Sequence, residues 1–181
     1  MPHTCPPWIC FTFDNRLRRI FHNPQKILGP YVQEGQTVLD LGAGKGYFAI
    51  PLVRLVGDKG LVIAADIHPA MLRGITKRAL RAGVASRIRT HLASENTLGL
   101  ADEVDFVLMF WMLHETPDMA RLLSEVRAVL KPSGRGLLVE PRLHVGHEMF
   151  EKMAAACVSA GFEPLERPRI ALSRAVVLRK S

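Results

Sequence analysis

Residues 37–48 read TVLDLGAGKGYF, an apolar run that ends at Leu41 and is followed by three glycines at alternate positions. β-branched and aliphatic residues that stop at a glycine are typical of a buried strand. The segment after the glycines, YFAIPLVRLV (47–56), predicts a helix. The stretch therefore predicts a strand, a tight turn and a helix in direct succession.

The same alternation continues along the chain. Further strands are predicted at 61–66, 86–93, 104–113 and 136–141, with two more in the tail 162–181. Helices are predicted between them at 69–83, 116–134 and 147–161. Because parallel strands need long crossover connections, this order predicts an α/β fold with a mostly parallel sheet and helices on both faces.

Length and composition limit the class of protein. The chain has 181 residues, of which 48% are hydrophobic and 23% charged, enough for one domain with a sizeable core. Its apolar runs are shorter than the roughly 18 residues that span a membrane, and its start lacks the pattern of a secretory signal, so we expect a cytoplasmic protein. The net charge of +7 is only a weak indication of an anionic partner.

The first part of the chain differs from the rest in its scattered aromatic residues. Asn23 and Pro24 predict the start of a helix there. We expect residues 1–34 to form a helical N-terminal extension that packs on the domain at 35–181. A second interpretation is that this extension acts as a lid.

Two familiar phosphate-binding patterns do not fit the glycine turn. A P-loop needs a glycine where the chain has Leu39, and a Ser or Thr where it has Gly46. A dinucleotide fingerprint that starts at Gly42 needs a glycine where the chain has Tyr47. A phosphate is therefore not the ligand that this turn predicts.

Carboxylates accompany the ends of the first two predicted strands. Asp40 precedes the glycines, and a carboxylate beside a closely approaching backbone suits a ligand that carries an ammonium group. Asp66 ends the second strand, where an acidic side chain can accept hydrogen bonds from both hydroxyls of a ribose. Asp66 alone does not distinguish NAD from other adenosine ligands.

Four segments together have a family resemblance. They are VLDLGAGKGYFAIPL (38–52), AADIHPAML (64–72), DEVDFVLMFWMLHE (102–115) and LKPSGRGLLVEP (130–141). In this order and spacing they resemble class I S-adenosylmethionine (SAM)-dependent methyltransferases, in particular the type 11/25-like branch with ubiquinone/menaquinone and metalloid methylating enzymes. The resemblance covers roughly 35–181 and implies a Rossmann-like seven-stranded sheet whose last strand, RAVVLR (174–179), is antiparallel. It also implies SAM as cofactor and S-adenosylhomocysteine as product.

The resemblance implies roles for individual residues. The implied cofactor-binding residues are Asp40, Gly42, Gly44, Gly46, Asp66, Ile67, Ser94, Glu95 and Phe110. By position, the glycines line the methionine part of SAM, Asp40 lies beside its ammonium group, Asp66 binds the ribose and Ile67 contacts the adenine. Ser94 stands where the family usually has an aspartate that accepts from the adenine amino group, and Glu95 is an alternative acceptor.

The end of the fourth predicted strand carries candidates for catalysis. Phe110 and Trp111 are expected to border SAM and the acceptor pocket. His114 and Glu115 follow, and a histidine with a pKa near neutrality suits a general base. The other interpretation is that His114 and Glu115 cap the next helix or close the pocket, because a base is needed only when the acceptor must lose a proton.

The expected function is methyl transfer to a small-molecule acceptor at oxygen, carbon or nitrogen. The alternatives are an RNA methyltransferase, a metalloid (arsenite-type) methyltransferase that uses Cys5, Cys10 and Cys157, and a SAM-binding module without turnover. A nucleic-acid partner is not favoured, no metal site is expected because the cysteine spacing matches no common zinc pattern, and the choice between monomer and homodimer stays open. An NAD-linked oxidoreductase is disfavoured by Tyr47.

Overall fold

The computed structural model describes residues 21–181. One sheet contains β1 (Thr37–Leu41), β2 (Leu61–Asp66), β3 (Ile88–Leu92), β4 (Val104–Phe110), β5 (Leu130–Pro141), β6 (Phe162–Glu166) and β7 (Ser173–Lys180). The helices of this part of the chain include α1 (Pro24–Leu28), α2 (Ala49–Leu55), α3 (Pro69–Arg81), α4 (Met119–Val129) and α5 (His147–Ser159).

The strand order across the sheet is β3-β2-β1-β4-β5-β7-β6. The pairs from β3 to β5 are parallel, whereas β7 runs antiparallel to both β5 and β6. This confirms the predicted α/β, Rossmann-like fold with an antiparallel last strand. The order reverses between β1 and β4, and ligands of such sheets bind at this reversal, outside the carboxyl ends of the strands.

Both faces of the sheet are buried. In β1, Val38 packs into one apolar cluster and Leu39 into another, and in β4 Phe106 and Val107 divide in the same way. All four side chains are fully buried. Burial on both faces explains why these strands appear in the sequence as continuous apolar runs without alternation.

The helix predicted at 116–134 is shorter than expected at both ends. It begins at Met119, with the Asp118 side chain as its N-terminal cap, and ends at Val129. The residue before a proline avoids the helical conformation, so Pro132 disfavours a helical Lys131. The chain is already extended at Leu130, where β5 starts six residues earlier than the predicted strand at 136–141.

The helix predicted at Asn23 and Pro24 is confirmed. The Asn23 side chain accepts hydrogen bonds from the backbone N–H groups of Gln25 (3.0 Å) and Lys26 (3.3 Å). Residues 1–20, with Cys5 and Cys10, lie outside the described residues, so the extension and its role as a lid stay predictions.

From residue 21 to residue 181, every helix is too short or too polar to cross a membrane. The cytoplasmic location stays a prediction.

Candidate active site

A cavity of about 1030 Å³ opens at the carboxyl ends of β1, β2, β4 and β5. Of the residues predicted for the site, it brings together Asp40, Gly42, Gly44, Asp66, Ile67, Ser94, Glu95, Phe110, His114 and Glu115. Sites for small molecules commonly measure about 300–1,000 Å³, so this cavity has room for a cofactor and a second molecule.

The glycine turn forms the floor of the cavity beside β1. Gly42 and Gly44 have φ angles of +73° and +53°, in the left-handed region that favours glycine. A Cβ atom on Gly42 would lie 2.8 Å from the Cβ of Met112, whereas one on Gly44 would meet no described atom within 4 Å. A side chain at position 42 would therefore collide with Met112, whereas there is open space beside Gly44.

Gly46 has a different position from the one expected. It also has a positive φ, +80°, but a Cβ there would lie 3.0 Å from Cγ1 of the buried Ile75 on α3. Gly46 is not among the residues that line the cavity. Gly46 therefore packs the turn closely against α3, and its contact with a cofactor stays a prediction.

Asp66 connects the ends of β1 and β2. Its Oδ2 accepts the N–H of Gly44 at 2.8 Å, and its Oδ1 accepts the N–H of His68 at 2.8 Å. The side chain is 9% exposed. Because an ionised carboxylate offers about four acceptor positions, Asp66 retains the capacity to accept from a ligand hydroxyl.

The loop after β3 supplies another wall of the cavity. The Ser94 hydroxyl oxygen accepts the N–H groups of Asn96 (3.3 Å) and Thr97 (3.1 Å), so it is engaged within its own turn. Glu95 is exposed on the same wall. Two side chains were considered as acceptors for the adenine amino group. Because Ser94 already accepts two backbone N–H groups, Glu95 is the better candidate of the two.

Sequence reasoning missed Glu125, which ties this loop to α4. Its Oε2 accepts the N–H of Leu98 at 2.6 Å, the hydroxyl of Thr97 at 2.8 Å and the N–H of Gly99 at 3.3 Å. Burial raises the pKa of Glu125, but these hydrogen bonds outweigh burial and hold its pKa below the ordinary value. The contact joins residues 27 positions apart, and no local pattern around Glu125 indicates it.

Glu140, at the end of β5, was also missed. It is fully buried, and its Oε2 lies 2.5 Å from Nδ1 of His114 while its Oε1 accepts the N–H of Leu113 at 3.0 Å. A signal was available in the sequence, because a carboxylate at the carboxyl end of an apolar strand faces the edge of the sheet where ligands bind. Nε2 of His114 lies 3.8 Å from Oε1 of Glu115.

These carboxylates control the charge of His114. Burial lowers the pKa of His114, but the hydrogen bond to Glu140 and the negative charges of Glu140 and Glu115 outweigh it and raise the pKa above the ordinary value. Burial raises the pKa of Glu115, with His114 acting in the opposite direction. The predicted catalytic pair therefore lies in the cavity and is electrostatically coupled.

An aromatic wall stands beside this pair. Trp111 has a φ of +60°, and its indole N–H donates to Oγ of Ser173 at 3.0 Å. The His22 ring packs edge-on against Trp111, with 5.0 Å between the ring centroids. Leu172, with a φ of +56°, also lines the cavity. Left-handed backbone in such residues persists only where the surroundings impose it, and it clusters at ligand sites.

Cys157 is the one cysteine of the metalloid alternative that lies among the described residues. Among residues 21–181, no group of three His, Cys, Asp or Glu side chains is arranged to hold a metal ion. Burial raises the pKa of the Cys157 thiol to about 12, so this cysteine is protonated at neutral pH and behaves as part of the core.

Comparison with known proteins places this chain in a family. A model of the methyltransferase domain matches residues 38–134. The chain is 36% identical over 110 residues to the ubiquinone/menaquinone biosynthesis C-methyltransferase UbiE of Haemophilus ducreyi, a match that covers 60% of this chain and 42% of that protein. The chain thus matches less than half the length of such curated relatives.

Solved structures share the fold over nearly the whole chain. A SAM-dependent methyltransferase from Aquifex aeolicus has a TM-score of 0.89 at 24% identity, covering 98% of this chain and 100% of that one. The [4+2]-cyclase SpnF has a TM-score of 0.76 at 15% identity, covering 90% of this chain and 82% of that one.

The family match covers more than half of the chain, which therefore belongs to the methyltransferase domain family. This family is that of the class I SAM-dependent methyltransferases, whose cofactor is SAM. The residues present fit this group: the space beside Gly44 admits a ligand against the backbone, and the buried carboxylates Asp40 and Asp66 suit a cationic adenosine derivative.

Proposed function

We propose that this chain transfers a methyl group to a small-molecule acceptor bound between the aromatic wall at Trp111 and the side chain of His114. The observation that carries the proposal is the position of His114, which lines the same cavity as the glycine turn and Asp66. Similarity to a C-methyltransferase that acts in ubiquinone and menaquinone biosynthesis supports a small acceptor.

One half of the cavity would hold the cofactor. Gly42 and Gly44 would contact its methionine part, with Asp40 near the ammonium group. Asp66 would accept from the ribose, and Ile67 would pack on the adenine. For the adenine amino group we favour Glu95 over Ser94, because the Ser94 hydroxyl is engaged in its own turn.

The other half would hold the acceptor. Bound SAM supplies a methyl group on a sulfonium sulfur; transfer forms the acceptor–methyl bond and leaves the electron pair of the broken bond on sulfur. Trp111 and Phe110 would orient the acceptor, and alignment of reacting groups supplies much of the rate in such displacements. His114 would act as the general base, and Glu115 would stabilise its protonated form.

An RNA acceptor is less well supported. The basic run at 77–81 lies on α3, where Lys77 and Arg81 are exposed while Ala79 is buried. This is the ordinary polar face of an amphipathic helix. The basic run at 16–19 lies outside the described residues.

Calorimetric titration tests the cofactor assignments. We expect the wild type to bind S-adenosylhomocysteine and not NAD, and Asp66→Ala to weaken binding about 10- to 150-fold, since hydrogen bonds to charged groups contribute about 1.5–3 kcal/mol. Asp102→Ala is the matched control, because Asp102 pairs with Arg89 outside the cavity. Equal affinity of the Asp66 and Asp102 variants would remove the ribose role.

A screen with labelled SAM tests the reaction. Phenols, quinols, carbon acids and amines form one panel, and transfer RNA forms a separate arm. Labelled product from any small molecule supports the proposal, and label on RNA alone overturns it. Binding of S-adenosylhomocysteine without transfer to any acceptor would favour a SAM-binding module, since a [4+2]-cyclase shares this fold.

A further inference from the structure

Glu140 lies behind the cavity wall, in contact with the cavity-lining His114, and its side chain is fully buried. It is 0% exposed, and each of its oxygens has a hydrogen-bond partner, Leu113 N–H on one side and His114 Nδ1 on the other. Removing a carboxylate from water costs several kcal/mol even after relaxation. A neutral side chain would accept a hydrogen bond from the Leu113 N–H at a lower desolvation cost. This hydrogen bond alone therefore does not explain why a carboxylate is buried here.

The bond to His114 supplies that explanation. An ionised carboxylate accepts and does not donate, so with Glu140 ionised the 2.5 Å contact requires the proton on Nδ1 of His114. The imidazole then presents Nε2 as its basic atom, with Oε1 of Glu115 3.8 Å away. The His114 side chain is 20% exposed and lines the cavity, so Nε2 is placed where an acceptor would bind.

The other titratable groups around His114 are few. Glu140 faces it from β5, Glu115 follows it in the chain, and the His144 ring stacks parallel to it with 6.4 Å between centroids. His68, before α3, acts on Glu115. The two carboxylates favour a positive charge on His114.

We propose that Glu140 is a positioning residue that holds His114 in the Nδ1-protonated form, so that Nε2 removes a proton from the methyl acceptor. This inference rests on the proposed function and narrows its substrate class. The acceptor atom carries a removable proton, as in a hydroxyl group or a carbon acid, and is not a tertiary amine or a thioether, which would need no base.

The proton balance is complete within these groups. The acceptor proton passes to Nε2, and its bonding electron pair stays on the acceptor as the nucleophile. The resulting imidazolium lies between Glu140 and Glu115, whose charges stabilise it. Because part of the His114 side chain is exposed, the proton then leaves to water and the neutral base is restored.

Nitrogen NMR of the imidazole tests the inference without turnover. In the wild type we expect the Nδ1-protonated tautomer and a pKa of His114 above the ordinary value of about 6.5. Glu140→Gln should lower that pKa and abolish the tautomer preference. Glu115→Gln is the matched control, which should lower the pKa of His114 and leave the tautomer unchanged. An Nε2-protonated tautomer in the wild type overturns the inference, even if no variant folds.

Kinetics with an acceptor from the screen give a second readout. We expect Glu140→Gln to reduce kcat about 10²-fold or more, within the range for general-base catalysis, with KM and S-adenosylhomocysteine affinity unchanged. Glu140→Asp, which keeps the charge, should recover part of the loss. An unchanged kcat–pH profile in Glu140→Gln overturns the role of Glu140, whereas loss of S-adenosylhomocysteine binding in the wild type would contradict the proposed function itself.

Discussion

The two halves of the cavity are built in different ways. The cofactor half depends on backbone and on contacts close in sequence, such as Gly44 with Asp66, 22 residues away across neighbouring strands. The acceptor half depends on side chains from distant segments: Trp111 with Ser173, 62 residues apart, and His22 with the carbonyl of Ala171, 149 residues apart. The first half is therefore set by neighbouring strand ends, whereas the second depends on how distant segments of the chain pack together.

The halves also differ in exposure. Asp40 and Asp66 are 2% and 8% exposed, whereas Leu143 and Leu172, at the acceptor end, are 89% and 59% exposed. Large exposed apolar side chains beside a cavity are typical of an interaction site. The carboxylates proposed to contact the ammonium group and the ribose would thus be enclosed, and an apolar acceptor would enter through an open rim.

The largest effect is expected at His114, where a substitution should reduce turnover and leave cofactor binding unchanged. Replacing His114 by Ala should lower kcat for the acceptor about 10²- to 10⁴-fold, the usual contribution of a general base. S-Adenosylhomocysteine affinity, measured by calorimetry, should not change, because His114 lies in the acceptor half. A variant that keeps wild-type turnover would show that the acceptor needs no base from His114.

The next effect separates two glycines of the same turn. Ala at Gly44 should place its Cβ in the open space where the cofactor would lie and weaken S-adenosylhomocysteine binding about tenfold, or about 1.4 kcal/mol. Both glycines have a positive φ, so Ala strains the backbone at either position. Ala at Gly46 should nevertheless leave affinity unchanged and lower the free energy of unfolding by about a further 1–3 kcal/mol through overpacking against Ile75. Urea denaturation and calorimetry on both variants check this. Equal losses of affinity would place Gly46 at the cofactor after all.

A smaller effect is expected at the loop after β3. Glu125→Gln should weaken the bonds to Thr97 and Leu98, loosen the loop, and reduce S-adenosylhomocysteine affinity by about 1 kcal/mol, the net value of a typical hydrogen bond. Arg121→Ala is the control, because Arg121 contacts only the other oxygen of Glu125 and is 56% exposed. A larger loss of S-adenosylhomocysteine affinity in Arg121→Ala than in Glu125→Gln would mean that the loop does not depend on Glu125.

The smallest effect is a pH dependence of stability from the acceptor half. The pKa of His114 is raised in the folded protein, so the stabilisation it provides is complete below the unfolded value of about 6.5 and is lost as pH rises through the folded value. Glu140→Gln should therefore lower the free energy of unfolding more at about pH 6 than at about pH 9. The first value is roughly the ordinary pKa of histidine and the second is well above it. Urea denaturation of the variant and the wild type at both pH values measures this loss, and a constant loss would show that His114 is not coupled to Glu140.

The strands and their order of succession were predictable, and the helix ends were less so. β1, β2 and β4 are apolar runs buried on both faces, and this requirement is visible in any short window of sequence. The end of α4 was predicted too late, because the extended pairing of Leu130 with Val104 on β4 outweighs the local helical pattern. Pro132 was the local sign that marked this boundary.

The sequence by itself determined the class of this protein. The glycine turn, Asp40 and Asp66 lie at strand ends. Because a parallel sheet brings successive strand ends to one edge, the order of these residues along the chain is enough to predict that they share a binding site. Only the tertiary structure decided that Gly46 packs against Ile75, that Glu125 accepts hydrogen bonds from the loop after β3, and that Glu140 contacts His114. The physical reason is that these are side-chain contacts across different elements, and their partners are set by how helices and strands pack rather than by any local pattern.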